Sequence, residues 1–246
     1  MDSLLILSVT AVAFLLAGFV KGVIGLGLPT VAIGLLGIVM LPAQAAAILV
    51  VPSLVTNIWQ LVTGGDVLLL TRRLWPMLIG VCIGTFIGAA ALPSNIPQAG
   101  TWLGVALVLY AGVGLMKVHF KVPRRAETWL GLVVGVLTGA ATVVTGVFVI
   151  PGVPYLTALD FDRDRMVQAL GLSFTVSTIT LALALAYQGQ LQASVAWPAL
   201  VALGVALVGM WLGQIVRGMV KPETFRLFFF LGLLLLGAHL ALRGLL

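Results

Sequence analysis

The chain has 246 residues, 61% of them hydrophobic and 8% charged, with a formal net charge of +6 at pH 7. Soluble domains carry about 25% charged residues, so this composition and a mean hydropathy of +1.22 exclude a water-soluble globular domain and mark an all-α polytopic membrane protein. The basic excess sits in short loops between apolar runs, where it orients a chain in a lipid bilayer rather than gripping nucleic acid.

Cys82 is the single cysteine, which excludes internal disulfides and thiolate metal sites. The start, Met1-Asp2-Ser3 followed by a long apolar run, lacks the basic region and small-residue cleavage site of a signal peptide and is read as part of the mature protein.

Hydropathy predicts segments at 4–20, 29–41, 44–62, 74–92 and 98–117, then at 129–145, 147–159, 166–187, 195–215 and 224–242. The first apolar run extends from Leu4 to Leu41, broken by Gly18-Phe19-Val20-Lys21-Gly22-Val23-Ile24-Gly25-Leu26-Gly27-Leu28-Pro29. As one helix it would measure about 55 Å, well beyond a hydrocarbon core of about 30 Å. The run is therefore expected to enter the bilayer and turn back. Gly135 to Pro154 is interrupted in the same way, and Gly/Pro-broken segments in matching places of two halves point to a transporter's binding site.

The loop charges test this topology independently. If both broken stretches turn back, Arg72, Arg73, Lys117, Lys121, Arg124, Arg125, Arg163, Arg165, Arg217, Lys221 and Arg226 share one side and only Arg243 lies opposite, with Lys21 at the hairpin tip. If each stretch crosses once, the same residues split seven against five. The positive-inside rule selects the first arrangement, which puts both termini on the non-cytoplasmic side.

The halves read as a repeat. An offset of 124 residues superposes Gln44 on Gln168, Ser53 on Ser177, Thr56 on Thr180, Gly65 on Gly189 and Gly80 on Gly204, and Trp75-Pro76 matches Trp197-Pro198 at 122. The expected architecture is two inverted repeats, residues 1–122 and 123–246, each a broken, re-entrant helical hairpin followed by three transmembrane helices. The hairpins would enter from opposite faces, and their tips would meet near the midplane.

The first tip offers an anion three things: glycines that admit a ligand to backbone N–H groups, a helix start at Pro29, and the charge of Lys21. The candidates there are Lys21, Gly25, Gly27 and Thr30. Two plainer readings stand beside this one: Lys21 snorkels to the headgroups, and Gly18, Gly22, Gly25 and Gly27 serve close helix packing. In the second half Thr138, Thr142 and Thr145 supply hydroxyls, which either donate to an oxyanion or bond the carbonyl a turn earlier.

The helices that follow carry Gln44, Ser53, Thr56, Asn57 and Gln60, and Gln168, Ser173, Thr175, Ser177, Thr178 and Thr180. The spacings Ser53-Thr56-Asn57-Gln60 and Ser173-Ser177-Thr180 gather polar groups on one helical face, which in lipid must look inward. Such a face lines a polar path or bonds helix to helix.

Asp160, Asp162 and Asp164 alternate with Arg163 and Arg165, but the Gly and distal Glu of a calcium loop are missing, so the string reads as a solvated, self-paired loop. His119 and His239 have no metal-ligand partner at helical spacing. Phosphate-loop and nucleophile motifs do not occur, so the sequence offers no cofactor, no metal and no catalytic constellation.

The glycine-interrupted first segment from Gly18 to Pro29, the helix from Gln44 to Gln60, the basic break at Arg72-Arg73 and the repetition of this plan resemble the sulfite exporter TauE/SafE family of membrane permeases. The resemblance covers essentially the whole chain as an architecture. It implies a permease of the bacterial inner membrane that moves small sulfur-containing or organic anions such as sulfite and sulfonates.

The resulting expectation is a secondary transporter, not an enzyme, whose partners are a small anion and the bilayer. Lys21, Gly25, Gly27, Thr30, Gln44, Ser53, Thr56, Asn57, Thr142, Thr145, Gln168, Ser173, Ser177 and Thr180 are the expected substrate contacts. A channel-like anion pore and a permease for a small carboxylate are the alternatives, and a homo-oligomer is compatible with either. One lysine balances one negative charge, so a monoanion is expected, or a dianion further compensated by helix dipoles and hydroxyls.

Overall fold

The computed structural model describes residues 3–93, 96, 98–116 and 121–243, with side chains described from residue 7 onward except that of Arg163. Lys117 and His119 lie outside the described residues. Among the described residues the chain is helical and has no strand: α1 (Ser3–Ile24), α2 (Leu28–Leu36), α3 (Pro42–Val62), α4 (Val67–Ala91), α5 (Ala99–Leu115), α6 (Glu127–Thr145), α7 (Gly152–Ala158), α8 (Arg163–Tyr187), α9 (Ala196–Arg217) and α10 (Pro222–Arg243). Seven of these helices are long and apolar enough to cross a membrane, and α5 is a shorter apolar helix. All six tryptophans point outward, each at least 52% exposed, as a lipid-facing surface allows.

Both broken segments turn back. Between α1 and α2 the chain passes through Gly25 at φ +78° and Gly27 at φ +106°, a left-handed path that side chains rarely take, and Pro29 starts the return helix. Gly146, at φ +72°, caps α6 through its N–H to the Thr142 carbonyl at 2.7 Å.

Two crossings are built on glycine. A Cβ placed on Gly18 or Gly22 would stand 2.1 or 2.2 Å from the carbonyl oxygens of Ala206 or Met210 on α9. On α4, one at Gly80 or Gly84 would stand 2.4 or 2.0 Å from those of Leu132 or Val136 on α6. Helices in lipid gain little from hiding apolar surface, so close backbone approach supplies the attraction. Each half's first helix thus lies against the other half's fourth, α1 on α9 and α6 on α4, while α3 packs on α8 and α5 on α10. Leu28, Ile33, Leu36, Leu49, Phe14 and Phe148 fill the interior where these pairs meet.

The structure corrects several expectations. Helix α4 begins at Val67 rather than 74, because the helix continues through Arg72-Arg73. Arg73 is accommodated by Glu127 at 2.7 Å and by the Phe161 ring at 4.6 Å. The second return helix starts at Gly152 rather than 147, since residues 147–151 form no helix. Gly80 packs against α6, but its offset partner Gly204 has nothing among the described residues within 4 Å of an added Cβ, and Gly209 and Gly213 make the close contacts on α9.

The tips do not meet. Gly25 lies beside Gln60 near one end of α3, and Gly146 lies beside Ala46 and the Pro42 carbonyl near the other. Fourteen residues from Ala46 to Gln60 correspond to about 21 Å of helix. Helix α1, at 22 residues, carries the first tip across most of the bundle instead of halfway.

Basic residues gather at one end. Arg73 bonds Glu127 and the Leu159 carbonyl, Arg165 bonds Asp66, and Val122 N–H donates to the Ala158 carbonyl, tying the 63–73, 121–127 and 158–165 segments together. Phe225 meets Phe19 near the first tip, which brings the Lys221-Arg226 stretch to the same end. Arg243 lies at the opposite end, donating to the Ile38 carbonyl at 2.6 Å.

Candidate functional site

Lys21 points inward from the last turn of α1 and is 3% exposed. Its ammonium donates to Thr56 Oγ1 at 3.1 Å and to Asn57 Oδ1, both on α3. One turn further along α3, Gln60 Nε2 donates to the carbonyl of Gly25, just past the end of α1. Lys21 and Gly25 are four apart on one strand of chain, Thr56 and Gln60 four apart on the other, so the contacts form successive rungs of one ladder.

Donor and acceptor accounting fixes the direction of the polar chain. Lys21 only donates, so Asn57 Oδ1 accepts and Asn57 Nδ2 faces Ser53 Oγ at 3.0 Å. Ser53 Oγ is 3.1 Å from Thr178 Oγ1 on α8, and Thr178 in turn donates to the Phe174 carbonyl at 2.7 Å. With the Thr178 proton committed, Ser53 is the donor between the two hydroxyls. The chain runs Lys21 to Asn57 to Ser53 to Thr178 to Phe174, from the first half into the second.

Thr56 sends its own proton to the Pro52 carbonyl at 2.7 Å and is an acceptor for the lysine. Two of the three lysine protons are thus held by neutral oxygens. Among the described residues no carboxylate pairs with Lys21. A cation buried among neutral acceptors is costly in a low-dielectric interior, and a small anion would relieve that cost.

The other expected contacts fall elsewhere. Thr30 donates to the Gly27 carbonyl at 2.9 Å and shapes the turn, while the Gly25 N–H is spent on the Lys21 carbonyl at 2.8 Å. Thr142 and Thr145 donate to the carbonyls of Thr138 and Ala141, and Val147 N–H donates to Thr145 Oγ1 at 3.2 Å. Their hydroxyls hold the second tip's own backbone, toward the Pro42 end of α3. Gln44 is exposed and accepts from Leu41 N–H at 3.3 Å, closing the start of α3. Gln168 accepts from Asp66 N–H and donates to the Leu61 carbonyl, pinning the α3–α4 turn to α8.

On α8, Thr180 donates to the Val176 carbonyl at 2.8 Å and meets Cys82 on α4 at 3.4 Å. Ser177 is buried beside Thr178, and the buried Ser173 hydroxyl has no partner among the described residues. Two of the three aspartates in the string pair: Asp160 with Lys121, and Asp162 with Arg165 while capping α8. No metal-holding cluster occurs among the described residues.

Sequence reasoning placed Gln60 and Thr178 on polar helices without naming them as contacts. Gln60 was legible as the next member of the Thr56-Asn57 stripe. Thr178, beside the matched Ser177, was not, because repeat matching aligns positions and cannot say which hydroxyl faces the other half.

The sequence profile described as sulfite exporter TauE/SafE matches residues 10–240. The chain belongs to that family. A TauE/SafE relative, the "Probable sulfite/organosulfonate exporter TauE" of Cupriavidus necator, is 29% identical over 172 residues, 67% of this chain and 65% of that protein. The match therefore spans slightly less than two thirds of the relative's length. No solved structure matches the chain. The TauE/SafE family is one of transporters, in keeping with a multi-pass helical chain whose described interior holds a cation and hydroxyls.

Proposed function

We propose that this protein is a secondary transporter that exports a small sulfur-containing anion, sulfite or an organosulfonate, across the bacterial inner membrane by alternating access. The observation that carries the reading is the buried Lys21 ammonium, held by Thr56 and Asn57 and lacking a carboxylate partner among the described residues. The substrate supplies the missing negative charge. It displaces Thr56 and Asn57 from the lysine and so loosens the chain that joins Asn57 and Ser53 to Thr178.

The substrate class is taken from the family and from the name of the Cupriavidus necator relative. Residues 1–122 and 123–246 act as two inverted repeats that rock against one another. The exchanged packing of α1 on α9 and α6 on α4 supports that division. The basic end faces the cytoplasm by the positive-inside rule, which puts both termini outside. The tight enclosure of Lys21 favours a carrier over an open anion pore.

The test is flux in proteoliposomes. Wild-type protein gives saturable sulfite flux with counterflow, and Lys21→Met, matched for folding by its melting temperature, loses it by at least tenfold. Wild-type rates in Lys21→Met would remove the lysine from the mechanism, and unsaturable flux without counterflow would replace the carrier with a pore.

A further inference from the structure

Gln60 carries an oxygen that the fold leaves idle. Gln60 is 7% exposed, its Nε2 donates to the Gly25 carbonyl, and its Oε1 is buried with no hydrogen-bond partner among the described residues. The amide cannot be turned around to fix this, because Oε1 would then face the Gly25 carbonyl oxygen. A buried acceptor left unmade carries its full desolvation cost. On α3 Gln60 follows Thr56 by one helical turn, about 5.4 Å along the axis, so its amide is the next polar group beside the rung that holds the lysine.

An acceptor next to an anion's counter-charge has a specific chemical meaning. Carbonyl oxygen repels a bare oxyanion and binds one that carries its own proton. We propose that Gln60 Oε1 accepts a hydrogen bond from the substrate, so that the site selects singly charged oxyanions bearing an O–H or N–H donor. Hydrogensulfite is favoured over the sulfite dianion, and a hydroxyalkylsulfonate over its plain alkyl counterpart. The inference rests on the reading of Lys21 as the anion's counter-charge. Lys21 balances one charge, the substrate donor satisfies Gln60, and Gln60 in turn holds the tip through Gly25. Occupancy is thereby sensed at the left-handed turn between α1 and α2.

The experiment compares 2-hydroxyethanesulfonate with ethanesulfonate, equal in charge and similar in size, by equilibrium binding to the purified full chain. Wild type is expected to bind the hydroxylated probe about tenfold tighter, and Gln60→Met to bring the ratio near one while still binding both. A purely structural role for Gln60 would weaken both probes equally and leave the ratio intact, which would overturn the proposal. Equal binding of the two probes by wild type would also overturn it, with the anion-transporter reading left standing. Failure of wild type to bind either probe or sulfite would sink both. Gln60→Asn, which retracts the oxygen by one methylene but keeps the amide, provides a second variant expected to lower the ratio.

Discussion

The hydroxyls of Ser53 and Thr178, 125 residues apart in sequence, lie 3.1 Å apart between α3 and α8. Ser53 also receives Asn57 Nδ2, whose carboxamide oxygen holds Lys21, so this contact connects the buried cation to the second half of the chain. A double-mutant cycle with Ser53→Ala and Thr178→Val should give a coupling energy of about 0.6 kcal/mol, the usual size for hydrogen bonds between membrane helices. Thr180→Val, whose hydroxyl turns to Val176 and Cys82, should show no coupling to Ser53→Ala. Thermal unfolding in detergent reads both.

The glycine crossings make a sharper prediction. Gly84→Ala places a methyl 2.0 Å from the Val136 carbonyl oxygen, so α4 and α6 must separate, at a cost of about 1 to 3 kcal/mol. Gly204→Ala meets nothing within 4 Å among the described residues and gains helix propensity of about 0.8 to 1 kcal/mol. Melting temperatures of the two variants should therefore move in opposite directions. Equal shifts would mean that the α4–α6 crossing is looser than the contact implies.

Arg73 ties two separate pieces of chain to α4. It makes two bonds to Glu127 at the start of α6, one to the Leu159 carbonyl after α7, and lies over the Phe161 ring. Arg73→Lys keeps the charge but loses the planar fork and the stacked face. Together with Glu127→Gln, it should cost about 1 to 3 kcal/mol, measured by denaturation in detergent. The damage should centre on the second hairpin, so cysteine labelling at residues 157–161 should accelerate before labelling at α10.

The linker contact titrates. Lys121 donates to Asp160 at 2.6 Å and holds its carboxyl below the usual carboxylate range. A carboxylate with a lowered folded pKa stabilises above its unfolded value of about 3.9, and the contribution is lost as pH falls through the folded value. Asp160→Asn, tolerated at the left-handed φ of +57°, should be slightly less stable than wild type at neutral pH. The difference should vanish in acid, and 1 M salt should shrink it because both groups are exposed. Paired melting curves across pH and salt check this.

The spans were legible in the sequence because lipid forces every backbone group to be satisfied within its own helix, so length and hydropathy mark them directly. The turns at Gly25, Gly27 and Gly146 and the gathering of basic loops at one end were legible for the same reason: left-handed glycines and loop charges are local properties. Sequence also named Lys21, Ser53, Thr56 and Asn57, since buried polar groups in lipid are rare enough to stand out. Only the tertiary structure decided which of the remaining hydroxyls look at another helix. Thr142 and Thr145 turn to their own backbone, and Thr178 rather than Ser177 meets Ser53. It also decided how deep each tip reaches. Spacing along one helix fixes which residues share a face, but depth and facing partner depend on how far two helices slide past each other, and that is set by the glycine seams at Gly18, Gly22, Gly80 and Gly84.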